Sequence, residues 1–374
     1  MAIYYLLFFI HIFFVFFKKN KLFILVSFFA IWFISGFRYN LPTDYKAYFN
    51  YFKIINSFWQ CESIFQELKK YNIENGYIFL MMFIKSFTNN FNIFLFITHF
   101  FTTLLFFIGI RKVNYNYTFL AVVIYLNRTF FGLLEANRQL IAIMILFASF
   151  NFYLEGKKKI FFLIAVPSML FHETAIFMLI LFLILDKKIS LKIQILLFLV
   201  FTFFYIGNIG IGKNIIDIFK RLLTDFSFRK VEWYLNFDKS IANSYGIAFF
   251  FQNFLLNIYL IFLKYKGKVK TKEETIIFNL LFYFFVFKVI FHDFPIIDYR
   301  ISYYFDVFNC FCYPYILIKS GIRKIFLKKA ILVVWFSLSF LTYTRSPNFI
   351  RAFIPYQNIF MQKEKNETFT FISQ

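Results

Sequence analysis

Long apolar runs alternate along the chain with short polar interruptions, most of them basic. A helix rises about 1.5 Å per residue, so about 20 apolar residues cross the ~30 Å hydrocarbon of a bilayer, with a lower limit of about 17 unless the bilayer thins or the helix ends are recessed. Candidate spans lie at 1–17, 22–37, 91–110, 116–130, 137–154, 160–171, 174–186, 190–207, 246–263, 275–291, 301–318 and 329–344. The pattern predicts an all-α polytopic transmembrane helix bundle of about 12 spans, with interfacial helices on its outer side and a single membrane-embedded domain over 1–374.

Two connections, 38–90 and 208–245, are long enough to fold as outer loops. The first carries Tyr45, Tyr48, Phe52, Ile55 and Trp59 at helical spacing, and the second carries Ile215, Ile216, Phe219, Leu222 and Leu223 opposite Lys213, Asp217, Lys220 and Arg221. Both read as amphipathic interfacial helices. Residues 77–88 (YIFLMMFIKSFT), with Lys85 among them, reach only about 18 Å and are placed as an interfacial or re-entrant helix on the outer face. GNIGIG at 207–212 is neither a Walker loop nor a dinucleotide fingerprint, and reads as a hinge.

Lysine and arginine in short loops set the orientation. If Lys18, Lys19 and Lys21 are cytoplasmic, so are Arg111-Lys112, Lys157 to Lys159, Lys187 to Lys192, Lys264 to Lys272 and Lys319 to Lys329. These loops hold 21 of the 41 basic residues against Glu155, Asp186, Glu273 and Glu274. That parity requires 160–186 to be a hairpin turning at His172, with Pro167 bending the entering arm and the turn recessed below the outer surface.

Composition supports this picture. A hydrophobic content of 61% is too high for a water-facing surface, and mean hydropathy is +0.67. The net charge of +22 does not point to nucleic acid, because the cations sit in clusters between apolar runs and not along one soluble face. The 67 Phe and 25 Tyr partly reflect an AT-rich codon bias and are not read as a binding surface. Cys61, Cys310 and Cys312 lack metal-ligand spacing and read as structural. The first run has no basic n-region or small-residue cleavage site, and reads as a retained span.

Ionisable groups near a membrane core are costly and are candidates for function. The topology set by the lysines collects them on one face: Arg38, Asp44 and Tyr45 after the second span; Arg128, Glu135 and Arg138 between the fourth and fifth; His172 and Glu173 at the hairpin turn; His292, Asp293, Asp298 and Arg300 before the eleventh. Each also has a plainer reading. Asp44 suits a helix cap, Glu135 and Arg138 a helix ion pair, His172-Glu173 a satisfied polar turn, and Arg300 a snorkelling anchor. Lys288 suits snorkelling or pairing with Asp293 or Asp306, and His11 and His99, mid-span without acidic neighbours, read as structural. Four scattered histidines make no zinc site. Several guanidinium groups beside a carboxylate and an imidazole suit an anionic substrate such as a lipid-linked diphosphate.

Four segments carry a family resemblance. FRYNLPTDYKAYFNYF (37–52) resembles the R-x-x-G-T-D-Y-x-x-Y segment of the EpsG-like bacterial polysaccharide polymerases, a branch of the Wzy-type polymerases. NRQLIAIMILFASFNFYLEGKKKIFFLIAVPSMLFHETAIFMLIL (137–181) resembles their R-Q-x-x-A span, basic turn and F-H-x-S/T-A hairpin. DYRISYYF (298–305) is similar to their R-x-x-x-Y-F element, and IPYQNIF (354–360) to their closing P-Y segment. Leu41-Pro42 stands where the family often has a glycine.

The resemblance implies polymerisation of repeat units carried on undecaprenyl diphosphate, at the outer side of the bacterial cytoplasmic membrane and without a metal cofactor or nucleotide-sugar. In that reading Arg38, Arg138, Arg300 and Arg128 contact the diphosphate, and His172 or Asp44 is the base, with Glu173 orienting the histidine. Tyr45, Glu135 and Asp293 line the rest of the pocket. The implied partners are undecaprenyl-diphosphate-linked glycans, membrane lipids, a flippase and chain-length regulator proteins. The rival readings are a lipid-linked glycan flippase or other transporter, whose charges would spread through the bundle depth, a glycan ligase of the same donor chemistry, and a membrane O-acyltransferase.

Overall fold

A computed structural model describes residues 1–17, 20–41, 44–71, 73–127, 129–210, 212, 246–320 and 322–361. Among them the chain is all-helical, with one isolated bridge between Arg38 and Asn358. The first helices are α1 (Ala2–Phe16) and α2 (Lys21–Gly36), then an outer group of α3 (Tyr45–Ile54), α4 (Ile64–Lys70) and α5 (Asn75–Lys85). Next come α6 (Phe91–Gly109), α7 (Thr118–Asn127), α8 (Thr129–Glu135), α9 (Asn137–Leu154), α10 (Lys158–Ala165), α11 (Ala175–Ile184) and α12 (Leu191–Ile206). The last are α13 (Gly246–Tyr265), α14 (Lys272–Ile290), α15 (Pro295–Lys319), α16 (Ile325–Thr344) and α17 (Pro347–Phe353).

Burial orders the bundle from centre to rim. Every residue of α7 is buried, so this helix lies in the middle, packed by α1, α15 and α16. On α12 only Gln194 and Phe198 are buried, while Leu196, Leu199, Phe203 and Ile206 are exposed, which fits a helix facing lipid chains. The chain is an integral membrane protein. By length and composition, among the described residues, Phe91–Lys112, Asn137–Leu154 and Ile325–Thr344 can each cross a bilayer, as can the pair Tyr115–Asn127 and Thr129–Glu135, bent by 48°. That bend replaces the straight span expected at 116–130. Shorter apolar helices, α1, α2, α11 and α12, supply the other candidates. The second amphipathic segment, 213–224, and all of 208–245 except 208–210 and 212 lie outside the described residues.

The acids of the basic loops join those loops to one another. Glu155 meets Arg111, Lys112 and Lys157. Asp186 meets Lys158 at 2.7 Å and Lys272 at 3.1 Å, and Glu274 meets Lys319. Lys264 donates to the Ile189 carbonyl, and Lys329 donates to that of Val15. These connections therefore share one face, as the charge pattern requires. The Lys158–Asp186 pair and the Phe161–Phe182 ring contact at 4.6 Å also show that α10 and α11 form an antiparallel hairpin. A 3₁₀ segment, Val166–Leu170, with Pro167 in its first turn, finishes the entering arm.

The outer group packs on protein more than on lipid, which changes the interfacial reading of α3. Its apolar face (Tyr45, Tyr48, Phe52) and Ile55 are buried against α5 and α6, and Trp59 lies beyond the helix, 77% exposed. Helix α5 does not cross. Lys85 at its end donates to the carbonyls of Phe52, Lys53 and Ile55, and Gly76 at its start packs so tightly on Leu170 that a Cβ would come within 2.6 Å of that carbonyl. Both ends are thus tied to the same face.

Two outcomes follow. With the three native cysteines replaced, single cysteines at positions 157, 187 and 266 should react with an impermeant maleimide from one side of the membrane, and cysteines at 69 and 89 from the other; mixed labelling within either set would overturn the two-faced arrangement. The Glu155 carboxylate is held down to about 2 by hydrogen bonds from Lys157 and Lys112. A depressed carboxylate contributes stability above its unfolded value of about 4.3, and that stability is lost as pH falls toward 2. Melting measured from pH 6 to pH 3 should therefore fall slightly more steeply in the parent chain than in Glu155→Gln.

Candidate functional site

Opposite the basic loops, the ends of α2, α8, α9 and α15, the α10–α11 turn and the outer helices meet. Arg38 follows α2 and is 2% exposed. Its Nε donates to the Leu41 carbonyl at 2.9 Å, and its terminal nitrogens donate to the Ser35 carbonyl at 2.6 Å, to Asn137 Oδ1 at 2.8 Å, to the Leu134 carbonyl at 3.4 Å and to His99 Nε2. A guanidinium has five N–H donors and no acceptor, so each of these partners must accept. The closing segment straps the same place. Tyr39 donates to the Gln357 carbonyl, Ile359 to that of Phe37, and Tyr356 to that of Ile34.

Arg138, one residue into α9, pairs with Glu74 from the loop before α5, and its guanidinium lies 5.9 Å from the Tyr48 ring centre. Glu135 is its helix neighbour in sequence, but the break at Ala136 separates α8 from α9. The electrostatic neighbours of Glu135 are instead Asp44 and Arg300. Asp44 occupies the N-cap position of α3 with no capping bond from its side chain, which leaves the half-buried carboxylate facing the site. Helix α15 begins at Pro295, so Asp298 and Arg300 lie in its first turns and not in a link. Arg300 is locked to α9 in both directions: Gln139 Nε2 donates to its carbonyl at 2.5 Å, and its guanidinium donates to Gln139 Oε1 at 3.3 Å.

His172 lies in the turn between α10 and α11. Its Nδ1 is 2.7 Å from Thr174 Oγ1, which is 3.0 Å from the Tyr304 hydroxyl on α15. Tyr304 is itself within electrostatic reach of Glu74 and Arg300. Tyr304 therefore stands between the imidazole, through Thr174, and two charged groups, Arg300 and the Arg138 partner Glu74. Glu173 is half-buried in the same turn.

Asp293 belongs to a neighbouring group. Its carboxylate lies 3.1 Å from His292 Nε2 and against Gly210, while Lys288 pairs with Asp298 at 2.6 Å. Tyr45 donates to Asn92 Oδ1 at 2.8 Å, at the outer edge of the site. Arg128 lies outside the described residues. Sequence reasoning missed Glu74, Asn137, Gln139, Thr174 and Tyr304 as site residues. Their partners come from distant parts of the chain, and the signals available were the quoted motifs, in which Gln139 follows Arg138, Thr174 is the S/T of F-H-x-S/T-A and Tyr304 is the Y of R-x-x-x-Y-F.

These features define a helical membrane protein with a polar, arginine-containing cluster at the helix ends opposite its basic loops. A family model for the EpsG family matches residues 21–358, and the chain belongs to that family. Membership suggests an exopolysaccharide-related polymerase or a glycosyltransferase-like activity. No curated protein and no solved structure matches the chain.

Removing Arg38 would leave three buried carbonyls, His99 and Asn137 without their donor. Arg38→Ala is expected to cost about 3–5 kcal/mol, read as a large loss of melting temperature in detergent. Arg38→Lys should recover only part of it, because an ammonium cannot reach all five acceptors.

Proposed function

We propose that the protein joins lipid-linked glycans, polymerising repeat units carried on undecaprenyl diphosphate at the face opposite its basic loops. The observation that carries this reading is the His172–Thr174–Tyr304 chain, with Arg300 and Glu74, the partner of Arg138, within electrostatic reach of Tyr304. The acceptor hydroxyl oxygen attacks the anomeric carbon of the donor sugar, the bond from that carbon to the diphosphate oxygen breaks, and the hydroxyl proton passes to a base. Two bases are in place, His172 and Asp44.

Arg138 and Arg300 stabilise the charge that develops on the departing diphosphate. A diphosphate leaves without needing a proton, so one base and fixed cations suffice. Arg38, with its donors engaged inside the protein, supports this clamp by joining the end of α2 to the start of α9. Glu135 and Glu173 border the acceptor side, and the polyprenyl tail runs among the lipid-facing helices. The product is a surface polysaccharide, whether capsule, O-antigen or exopolysaccharide.

The test is chain growth by purified protein on a lipid-linked repeat unit. Arg138→Ala and Arg300→Ala should each slow growth roughly a hundredfold. Near-normal growth in both would remove the clamp, and unchanged growth in both His172→Ala and Asp44→Asn would remove both bases. In cells lacking the gene, single repeat units should remain in place of long chains. Long chains left on carrier lipid would instead point to a ligase.

A further inference from the structure

Beside the arginine-lined centre an open groove of about 590 Å³ runs along the outer face, lined by Tyr39, Tyr45, Phe49, Phe91, Thr88 and the three carboxamides Asn89, Asn90 and Asn92. Its rings adjoin one another, with the half-buried Tyr39 and the exposed Phe49 packed on the buried Tyr45 and Phe91. Tyr39 and Tyr45 are 5.8 Å apart at 66°, Tyr45 lies 5.2 Å from Phe91, and Phe49 lies 5.7 Å from Phe91. Phe49 leaves 43% of its surface uncovered although it belongs to a well-packed helix.

The opposite wall is polar and uncharged. Tyr45 donates to Asn92 Oδ1, and Asn92 N–H donates to Asn90 Oδ1 at 2.8 Å, so both acceptor oxygens are engaged. Each of these amides also carries an NH₂ donor, on an exposed Asn90 and a half-buried Asn92. Among the described residues, no Lys or Arg lines this groove.

We infer that this groove is a glycan subsite, holding sugar residues of the acceptor or growing chain beside the reaction centre; the inference rests on the polymerase reading above. A sugar presents apolar C–H faces and a rim of hydroxyls. Aromatic rings take the faces and carboxamides take the hydroxyls, with no ionic group needed. An anionic lipid headgroup would call for a cation, and none is present on the lining. The groove lies next to the centre, because Tyr39 and Tyr45 adjoin Arg38 and Asp44 in the chain and Tyr45 is within electrostatic reach of Arg38.

The experiment uses full-length protein in lipid nanodiscs and, as the probe, size-graded fragments of the surface polysaccharide from cells carrying this gene, read by saturation-transfer NMR and titration. Phe49→Ala and the double variant Asn89→Ala/Asn92→Ala should each bind fragments about tenfold more weakly, and Phe49→Trp should bind at least as tightly as the parent. In cells, the weakened variants should shift the polysaccharide toward shorter chains. Parent-like binding and chain length in Phe49→Ala and the double variant, or displacement of fragments by excess phosphatidylglycerol, would overturn the subsite. The two readings fail separately. Fragment binding lost in Phe49→Ala while the parent protein itself adds no repeat units in the chain-growth assay would keep the subsite and sink the polymerase; the converse would sink the subsite alone.

Discussion

A guanidinium with no water around it must find an acceptor for each N–H or forfeit several kcal/mol. Arg38 meets that demand by drawing carbonyls from its own loop and from the end of α8, a carboxamide from α9 and an imidazole from α6. The arrangement fixes where α2 ends relative to the start of α9, and so where Arg138 stands. The closing segment contributes no acceptor to the guanidinium, yet its backbone pairs with residues 37–39 and holds the loop that presents it. The fold therefore treats one arginine as a structural centre and leaves its neighbours available for chemistry.

The two faces handle charge differently. On the basic face the paired acids are staples: Glu155 and Asp186 each bring together cations from separate loops, and the buried Glu274 holds Lys319. On the other face Glu74 is 8% exposed and pairs with the half-buried Arg138. Such a pair is a poor source of stability compared with apolar packing. Its retention beside His172 and Arg300 makes sense if a polar substrate enters and shares those charges.

Much of the scaffold was legible because its signals are local. The span at 137–154 starts and stops where the helix does, since it runs from the break at Ala136 to the Glu155-Gly156 turn. The 160–186 hairpin was legible from charge parity alone, a global constraint expressed in short loops. The site was legible as a face and not as a set of contacts. Asp44, Glu135, Arg138, His172 and Arg300 were each expected there, but the Glu74 partner of Arg138 lies 64 residues away and Tyr304 is 130 residues from Thr174. No spacing rule relates such pairs. His99, expected to be structural, proves so, but through Arg38 and not through a generic core. The amphipathic period of α3 was read correctly as a buried stripe, and its partner was misassigned as lipid because periodicity cannot say what covers a face.

The depth of His172 follows from arm lengths. The entering arm, α10 with its 3₁₀ extension, reaches roughly 22 Å, and the leaving arm, α11, roughly 15 Å. Their far ends are pinned together at the basic face by Lys158 and Asp186, so with ~30 Å of hydrocarbon to cross the turn between them stops short of the opposite surface. An imidazole there would sit in lipid were it not roofed, and the roof is present: α5 lies over the turn with Gly76 against Leu170. The short hairpin and the outer helices are thus one device. The first recesses His172 below the outer surface, and the second covers the turn with protein, with Gly76 against Leu170.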